Sequence, residues 1–197
     1  WVNGRIEGQG QVTYPDGSVY AGQFKDDLAD GQGRITYPDG SVYEGDWKNG
    51  VIDGVGRATY ANGLTYEGEF KNARNHGNGV MTYSDGYRYE GDWINGVKEG
   101  LGRITYADGT VYDGEIVAGE RAGQGTLTMV DGLVYSGTWA NGQIEGTGTL
   151  TQPNGDMYVG QLVGGQRQGE GRVTYANGDV YEGQFEADQR HGQGTFT

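Results

Sequence analysis

Cysteine is absent from this chain of 197 residues, which removes disulfides and thiolate metal sites and leaves no redox compartment to infer. No run of about 18 apolar residues is present for a membrane-crossing helix, and no basic-then-apolar leader stands at the start. The chain therefore reads as soluble, with the cytoplasm as its expected location unless missing segments or partners attach it to a membrane. Basic charge is scarce: 14 Lys and Arg against 27 Asp and Glu leave a formal net charge of -13. Phosphate binding needs a positive field over the contact surface, so this balance argues against nucleic acid and against unassisted docking on anionic lipid. Apolar mass is short too. A hydrophobic content of 34% with 41 glycines cannot fill a thick two-layer core and favours a thin, elongated body.

What the chain does have is a period. Tyr20, Tyr43, Tyr66, Tyr89, Tyr112, Tyr135, Tyr158 and Tyr181 recur every 23 residues. Each is followed two residues later by Gly, and two later again by a large apolar residue: Phe24, Trp47, Phe70, Trp93, Ile116, Trp139, Leu162 or Phe185. A fixed period of this size means stacked supersecondary units that cannot bury a face alone. Glycines this regular, interleaved with 15 tyrosines, argue against disordered low complexity. The whole chain, 1–197, is read as one array: a partial unit 1–19, repeats 20–42, 43–65, 66–88, 89–111, 112–134, 135–157 and 158–180, and a partial unit 181–197. Trp1 falls in the aromatic slot of a unit whose opening tyrosine is missing, which reads as a segment of something longer.

Positions within the unit are numbered here from its opening tyrosine. Positions 1, 3 and 5 are apolar or Gly and positions 2 and 4 polar, as in Tyr66-Glu67-Gly68-Glu69-Phe70, the alternation of a strand. A second alternating run occupies positions 14 to 18, as in Gly33-Arg34-Ile35-Thr36-Tyr37, and its threonine is constant from Thr13 to Thr197, as suits a β-branched residue on a sheet. Pairs such as Asp16-Gly17 and Asn62-Gly63 supply the positive φ of short hairpin turns. The other connection carries Asn49-Gly50 and then Gly54-Val55-Gly56, which reads as a longer glycine-hinged loop. Short links between alternating strands make an antiparallel meander, since parallel pairing needs a crossover of a dozen residues. The expected fold is all-β, an elongated single-layer antiparallel hairpin array. With two strands per repeat about 4.8 Å apart it would be on the order of 80 Å long.

Chemistry-bearing groups are weighed against this frame. Acidic columns at positions 2 and 4, including Glu67, Glu69, Glu90 and Asp92, are candidates for binding a basic peptide, or else pair across strands with Arg34, Arg57, Arg103 and Arg172. Because the acidic pairs recur in repeat after repeat, they lack the unique, desolvated pair that acid-base catalysis needs. His76 and His191 share position 11 five repeats apart and read as turn-stabilising, with no companions at metal-ligand spacing. Asp and Asn interchange in the Gly-preceding turn slot, as turn geometry permits, and the nine-residue calcium-roll pattern is absent. Strings such as Gly8-Gln9-Gly10 lack the Lys-Ser/Thr of a phosphate loop, and no Gly-x-Ser-x-Gly elbow occurs. No catalytic residue, metal ligand or cofactor is expected.

The unit Tyr66-Glu67-Gly68-Glu69-Phe70-Lys71-Asn72, followed by His76-Gly77-Asn78-Gly79 and Tyr83-Ser84-Asp85-Gly86, resembles the MORN (membrane occupation and recognition nexus) repeat, and the resemblance covers the whole chain. It implies an extended, twisted hairpin array with a groove, serving as a non-enzymatic scaffold or peptide-binding surface, sometimes dimerising and sometimes joined to an enzyme domain. Phospholipid binding is implied only weakly. A protein or peptide partner is therefore expected, with the first-strand aromatics Phe24, Trp47, Phe70, Trp93 and Trp139 as candidate groove anchors. Departures from the pattern concentrate in repeats five to seven, where Ile116 and Leu162 replace the aromatic and Met129 and Gln152 the second tyrosine. Position 6 is Lys25, Lys48 and Lys71 early on but Ile94, Val117 and Val163 later, a candidate apolar stripe for self-association or partner contact. Two alternatives stand beside the scaffold: a membrane-associated tether, suggested by that lysine run, and the non-catalytic arm of a larger enzyme.

Overall fold

The computed structural model describes residues 4–197, so Trp1 lies outside it. Among the described residues there is no helix, only strands and turns. The chain divides into two compact units, Trp1–Lys98 and Glu99–Thr197. The first carries β1 (Gly8–Thr13), β2 (Val19–Lys25), β3 (Leu28–Thr36), β4 (Val42–Lys48), β5 (Val51–Thr59), β6 (Thr65–Lys71), β7 (Arg74–Thr82) and β8 (Arg88–Ile94). The border falls inside β9 (Val97–Thr105). The second unit continues with β10 (Val111–Val117), β11 (Glu120–Thr128), β12 (Val134–Ala140), β13 (Gln143–Thr151), β14 (Met157–Val163), β15 (Gln166–Thr174), β16 (Val180–Glu186) and β17 (Gln189–Phe196). Within each unit consecutive strands pair antiparallel in a single layer, as expected.

The two kinds of link are the reverse of the sequence expectation. After the long strand, Tyr14-Pro15-Asp16-Gly17 forms a turn with Gly17 N donating to Tyr14 O at 2.9 Å, and Tyr14 N donates to Ser18 O at 2.8 Å. Gly17 sits at φ 89, giving a three-residue loop that ends in a left-handed glycine. Asp16 Oδ1 accepts from Ser18 N at 2.9 Å, and Asn62 Oδ1 does the same for Leu64 N at 3.1 Å. Since the amide needs only the Oδ1 acceptor that Asp and Asn share, the two exchange there. The Asn49-Gly50 link is the tighter one. Lys48 pairs directly with Val51 across a two-residue loop whose φ values are 49 and 81, the left-handed pair that matches strand twist.

The Gly-x-Gly run is therefore not in a loop. It lies inside the long strand, which begins at position 9 and not at position 14. Gly45 pairs with Gly56 and Trp47 with Ile52, so β5 spends two more residues than β4 over that interval, a bulge. Gly54, at φ 124, makes the bend, and a Cβ there would overlap the Asp46 side chain. The bulge frees Val55 N from the ladder, and Asp46 Oδ2 accepts it at 2.7 Å. Gln32 N with Gln23, Asn78 N with Glu69 and Gln124 N with Glu115 repeat the arrangement at 2.9, 3.1 and 2.8 Å.

The core sits on the opposite face. The opening tyrosines are buried and, within each unit, lie over a facing pair of glycines, Gly22 and Gly33 under Tyr20, Gly45 and Gly56 under Tyr43. A side chain on either glycine would occupy the space of the ring. The ring's Oη then reaches past the pair: Tyr20 Oη donates to Gln23 O at 2.9 Å and Tyr43 Oη to Asp46 O at 3.0 Å. The tryptophans of position 5 donate through Nε1 to the glycine carbonyl of the preceding strand, Trp47 to Gly33 O at 3.2 Å and Trp139 to Gly125 O at 3.1 Å.

Two substitutions separate the steric part of this clasp from the polar part. A Cβ on Gly56 would stand 2.6 Å from Tyr43 Cζ, so Gly56→Ala is expected to cost about 1–3 kcal/mol by overpacking. Tyr43→Phe loses one hydrogen bond and is expected to cost about 1 kcal/mol. Urea denaturation midpoints at constant slope measure both, with Gly56→Ala the larger loss.

Candidate functional site

The polar face sets acidic and basic positions side by side across the strands. Arg34 is in register with Glu44, Glu44 with Arg57, and Arg57 with Glu67. These four side chains lie in a depression of ≈ 810 Å³ together with Asp46 and Gln32. In the second unit Arg103 meets Asp113 at 3.3 Å. Position 4 accepts the amide freed by the bulge, and position 11 accepts from the next repeat's turn, as when Asn49 N donates to Asp30 Oδ2 at 3.0 Å. His76 occupies that role, with Asn95 N donating to its Nδ1 at 3.4 Å. His191 instead faces Glu186 at 3.4 Å. Among the described residues no group of three or more His, Asp or Glu side chains is placed to hold a metal ion.

The sequence-nominated acids divide accordingly. Glu67 is in register with Arg57, Glu69 accepts Asn78 N, Asp92 accepts from Asn78 Nδ2, and Glu90 meets Arg88 at 2.8 Å. Phe24, Trp47, Phe70, Trp93 and Trp139 are all buried. Their rings meet the opening tyrosines edge to face, and in the first unit the chain of contacts runs without interruption. Tyr20 touches Phe24 and Trp47 at 5.1 and 5.0 Å, Tyr43 touches Trp47 and Phe70 at 5.7 and 5.0 Å, and Tyr66 touches Phe70 and Trp93 at 4.9 and 5.4 Å. In the second unit Ile116 and Leu162 fill the same slot, fully buried, and the ring contacts fall into shorter runs. Ile94, Val117 and Val163 lie at hairpin ends, 53%, 56% and 56% exposed.

The accessible part of the aromatic face is made by other residues. Tyr37 and Tyr60, from position 18, are 36% and 37% exposed. They bound a groove of ≈ 560 Å³ lined also by Pro38, Tyr43, Ile52 and Phe70. Burial pushes the Tyr37 and Tyr60 phenols above their ordinary range, Tyr37 further through Asp16 and Asp39. The same burial raises Tyr20, Tyr66 and Tyr112 to about 12.

Position 10, which sequence reading passed over, contributes Ile52 to the lining of this groove. It faces the ring of position 5 across the two-residue hairpin: Ala29 opposite Phe24, Ile52 opposite Trp47, Asn75 opposite Phe70. Later, except at Ile144, it is cationic. Lys98 Nζ lies 4.7 Å from the Tyr87 ring and 5.0 Å from the Tyr89 ring, and burial lowers its pKa. Arg121 Cζ stands 4.3 Å from the Trp139 ring while its Nη2 donates to Gly142 O at 2.6 Å. Arg167 lies 5.2 Å from the Phe185 ring and meets Asp188 at 3.2 Å, and Arg190 lies 4.7 Å from the Tyr181 ring. A cation in the sequence reads as solvent-facing, yet long side chains lay their stems on apolar surface, so only the register with position 5 reveals the slot.

A single-layer hairpin array of this kind defines a repeat protein. A family model of the MORN repeat matches residues 1–19, 20–42, 43–65, 66–86, 89–111, 112–134, 135–157, 158–180 and 181–197. The chain belongs to the MORN repeat family. Comparison with curated proteins gives no match. Among solved structures, the G-box domain of the microcephaly protein CPAP aligns with TM-score 0.61 and 13% identity over 96% of this chain and 98% of that one. The TCP10 domain of Danio rerio CPAP aligns with TM-score 0.53 and 13% identity over 89% and 83%. These likenesses concern the fold. The TCP domain of Drosophila melanogaster SAS-4, solved with a proline rich motif of Ana2, is a weaker likeness, with TM-score 0.48 and 14% identity over 96% and 88%.

Two measurements probe the aromatic face. Phenols raised from 10.0 to about 12 on folding favour the folded state fully below pH 10 and lose that contribution as pH rises through the folded values, because the unfolded chain then binds fewer protons. Alkaline titration followed at 295 nm is expected to show opening tyrosines ionising together with unfolding above pH 10. Because Ile52 and Ile144 fill the slot of Arg121 in other repeats, Arg121→Ile is expected to change stability little, while Arg121→Ala costs about 1–2 kcal/mol, read from thermal melts.

Proposed function

We propose that this chain is a non-enzymatic protein-interaction scaffold that receives a peptide or partner surface along the aromatic face of its array. The observation that carries this reading is the groove between Tyr37 and Tyr60. Its rims are about a third exposed, and Tyr43 in its lining is held by Oη bonding to Asp46 O. Among the described residues no buried side-chain polar atom lacks a partner. A partner would therefore gain apolar contact at a surface whose buried polar groups are already satisfied, and would need to meet only the exposed rim. Phe24, Trp47, Phe70, Trp93 and Trp139 act in this reading as the support beneath the face. The non-enzymatic part rests on the carboxylates: they recur by position, several serve as acceptors for bulge and turn amides, and Asp113 meets a cross-strand arginine.

Self-association is the second reading, favoured by the exposure of Ile94, Val117 and Val163. Light scattering over a concentration series is expected to show a dimer that the triple variant Ile94→Lys, Val117→Lys, Val163→Lys weakens. Equal monomer mass for both proteins at every concentration removes this reading. Lys25, Lys48 and Lys71 are exposed at hairpin ends, but the net charge of -13 opposes an anionic surface. Flotation with anionic liposomes is expected to leave the protein in the aqueous fraction.

The scaffold reading is tested by selecting binders from an unbiased peptide display library. Enriched peptides are expected to lose binding to Tyr37→Gln and Tyr60→Gln, variants that borrow the glutamine found at the same position in Gln152. Selected peptides that bind both variants as tightly as the original chain would place the site elsewhere.

A further inference from the structure

We propose that the Tyr37–Tyr60 groove takes a proline-rich segment of a partner protein in the polyproline II conformation, laid along the array with a basic residue over Asp39. The inference deepens the scaffold reading and rests on it.

Spacing supplies the first argument. Tyr37 and Tyr60 stand one repeat, or two strands, apart, about 9.6 Å at ordinary strand separation. One turn of polyproline II is three residues and advances about 9.3 Å. A ligand of that conformation presents an equivalent side chain to each tyrosine ledge in turn, and prolines pack flat on phenol rings in a helix whose order is already largely in place.

Hydrogen bonding supplies the second. Strands β4 and β5 under the groove are paired on both sides, so their backbone offers no edge for an added strand. The donors that remain belong to side chains. Tyr43 Oη donates inward to Asp46 O, whereas Tyr37 Oη and Tyr60 Oη have no acceptor among the described residues. Polyproline II has no internal hydrogen bonds, and its carbonyls are the acceptors such phenols need.

Charge supplies the third. Asp39 is the one charged side chain among the described residues lining the groove, and Asp16 adds to the field at Tyr37. A basic residue beside the proline run is complementary to this rim. Position 10 also distinguishes this register from the cation-bearing ones. Ile52 leaves the floor open, whereas Lys98 and Arg121 lie over the rings in the equivalent place.

The test is fluorescence anisotropy with a fluorescein-labelled peptide of four Pro-x-x triplets carrying one Arg. Its comparators are a Gly-Ser peptide of equal length and charge, the proline peptide with Glu for Arg, and an amphipathic helical peptide of equal charge. Saturable binding to the proline peptide is expected, weakened roughly tenfold or more by Tyr60→Gln or Ile52→Arg. Both variants copy residues found at those positions in other repeats, Gln152 and Arg121, so folding is preserved and checked by circular dichroism. Asp39→Asn is expected to remove the preference for Arg over Glu. Binding no tighter than the Gly-Ser peptide, stronger binding of the helical peptide, or indifference to both Tyr60→Gln and Ile52→Arg overturns the proposal. If those results coincide with Tyr60-dependent binders from the unbiased library, only the ligand class falls; if no library binder depends on Tyr37 or Tyr60, the scaffold reading at this groove falls with it.

Discussion

The structure depends on one contact, a tyrosine ring laid across two facing glycines. Gly45 and Gly56 pair at the centre of adjacent strands, and the Tyr43 ring occupies the volume their side chains would need. The ring gains burial, the hydroxyl gains the Asp46 carbonyl, and the edge of the ring meets Trp47 within its own repeat and Phe70 in the next. Each edge-to-face contact contributes roughly 0.5–1.5 kcal/mol beyond burial. A hairpin alone is marginal in water, and this clasp ties each one to its neighbour.

Once the ring is placed, most of the polar sequence follows. The bulge that accommodates two extra residues in strands such as β3, β5 and β7 exposes an amide, and position 4 supplies a side-chain oxygen for it, whether Gln23, Asp46 or Glu69. Position 11 does the same for the next turn. Acidic residues accumulate because these acceptor roles repeat, and other acids stand in register with arginines on the same face. The strongly negative composition is thus in good part architectural.

The period and the strand alternation were legible because Tyr, Gly and aromatic recur with no slip. The direction of pairing followed from the shortness of the links. The bulge was not legible: Gly54-Val55-Gly56 carries the residues of a loop, and only pairing of Gly56 with Gly45 places it in a strand. The groove was hidden for a related reason. Tyrosines of position 18 look like one more core column, yet Tyr37 stops half-way out because the strand ends there and the turn begins. The most aromatic column, at position 5, attracted the functional assignment, and its side chains are buried.

The clasp is tested most directly by the proton chemical shifts of the glycines beneath the rings. A proton over the face of a phenol is shielded by its ring current. Gly33, Gly56 and Gly79, under Tyr20, Tyr43 and Tyr66, are therefore expected to show one α-proton each far upfield of the turn glycines Gly40 and Gly86, where no atom approaches. Ordinary shifts at all three would show that the rings lie elsewhere and would remove the basis for the array as described.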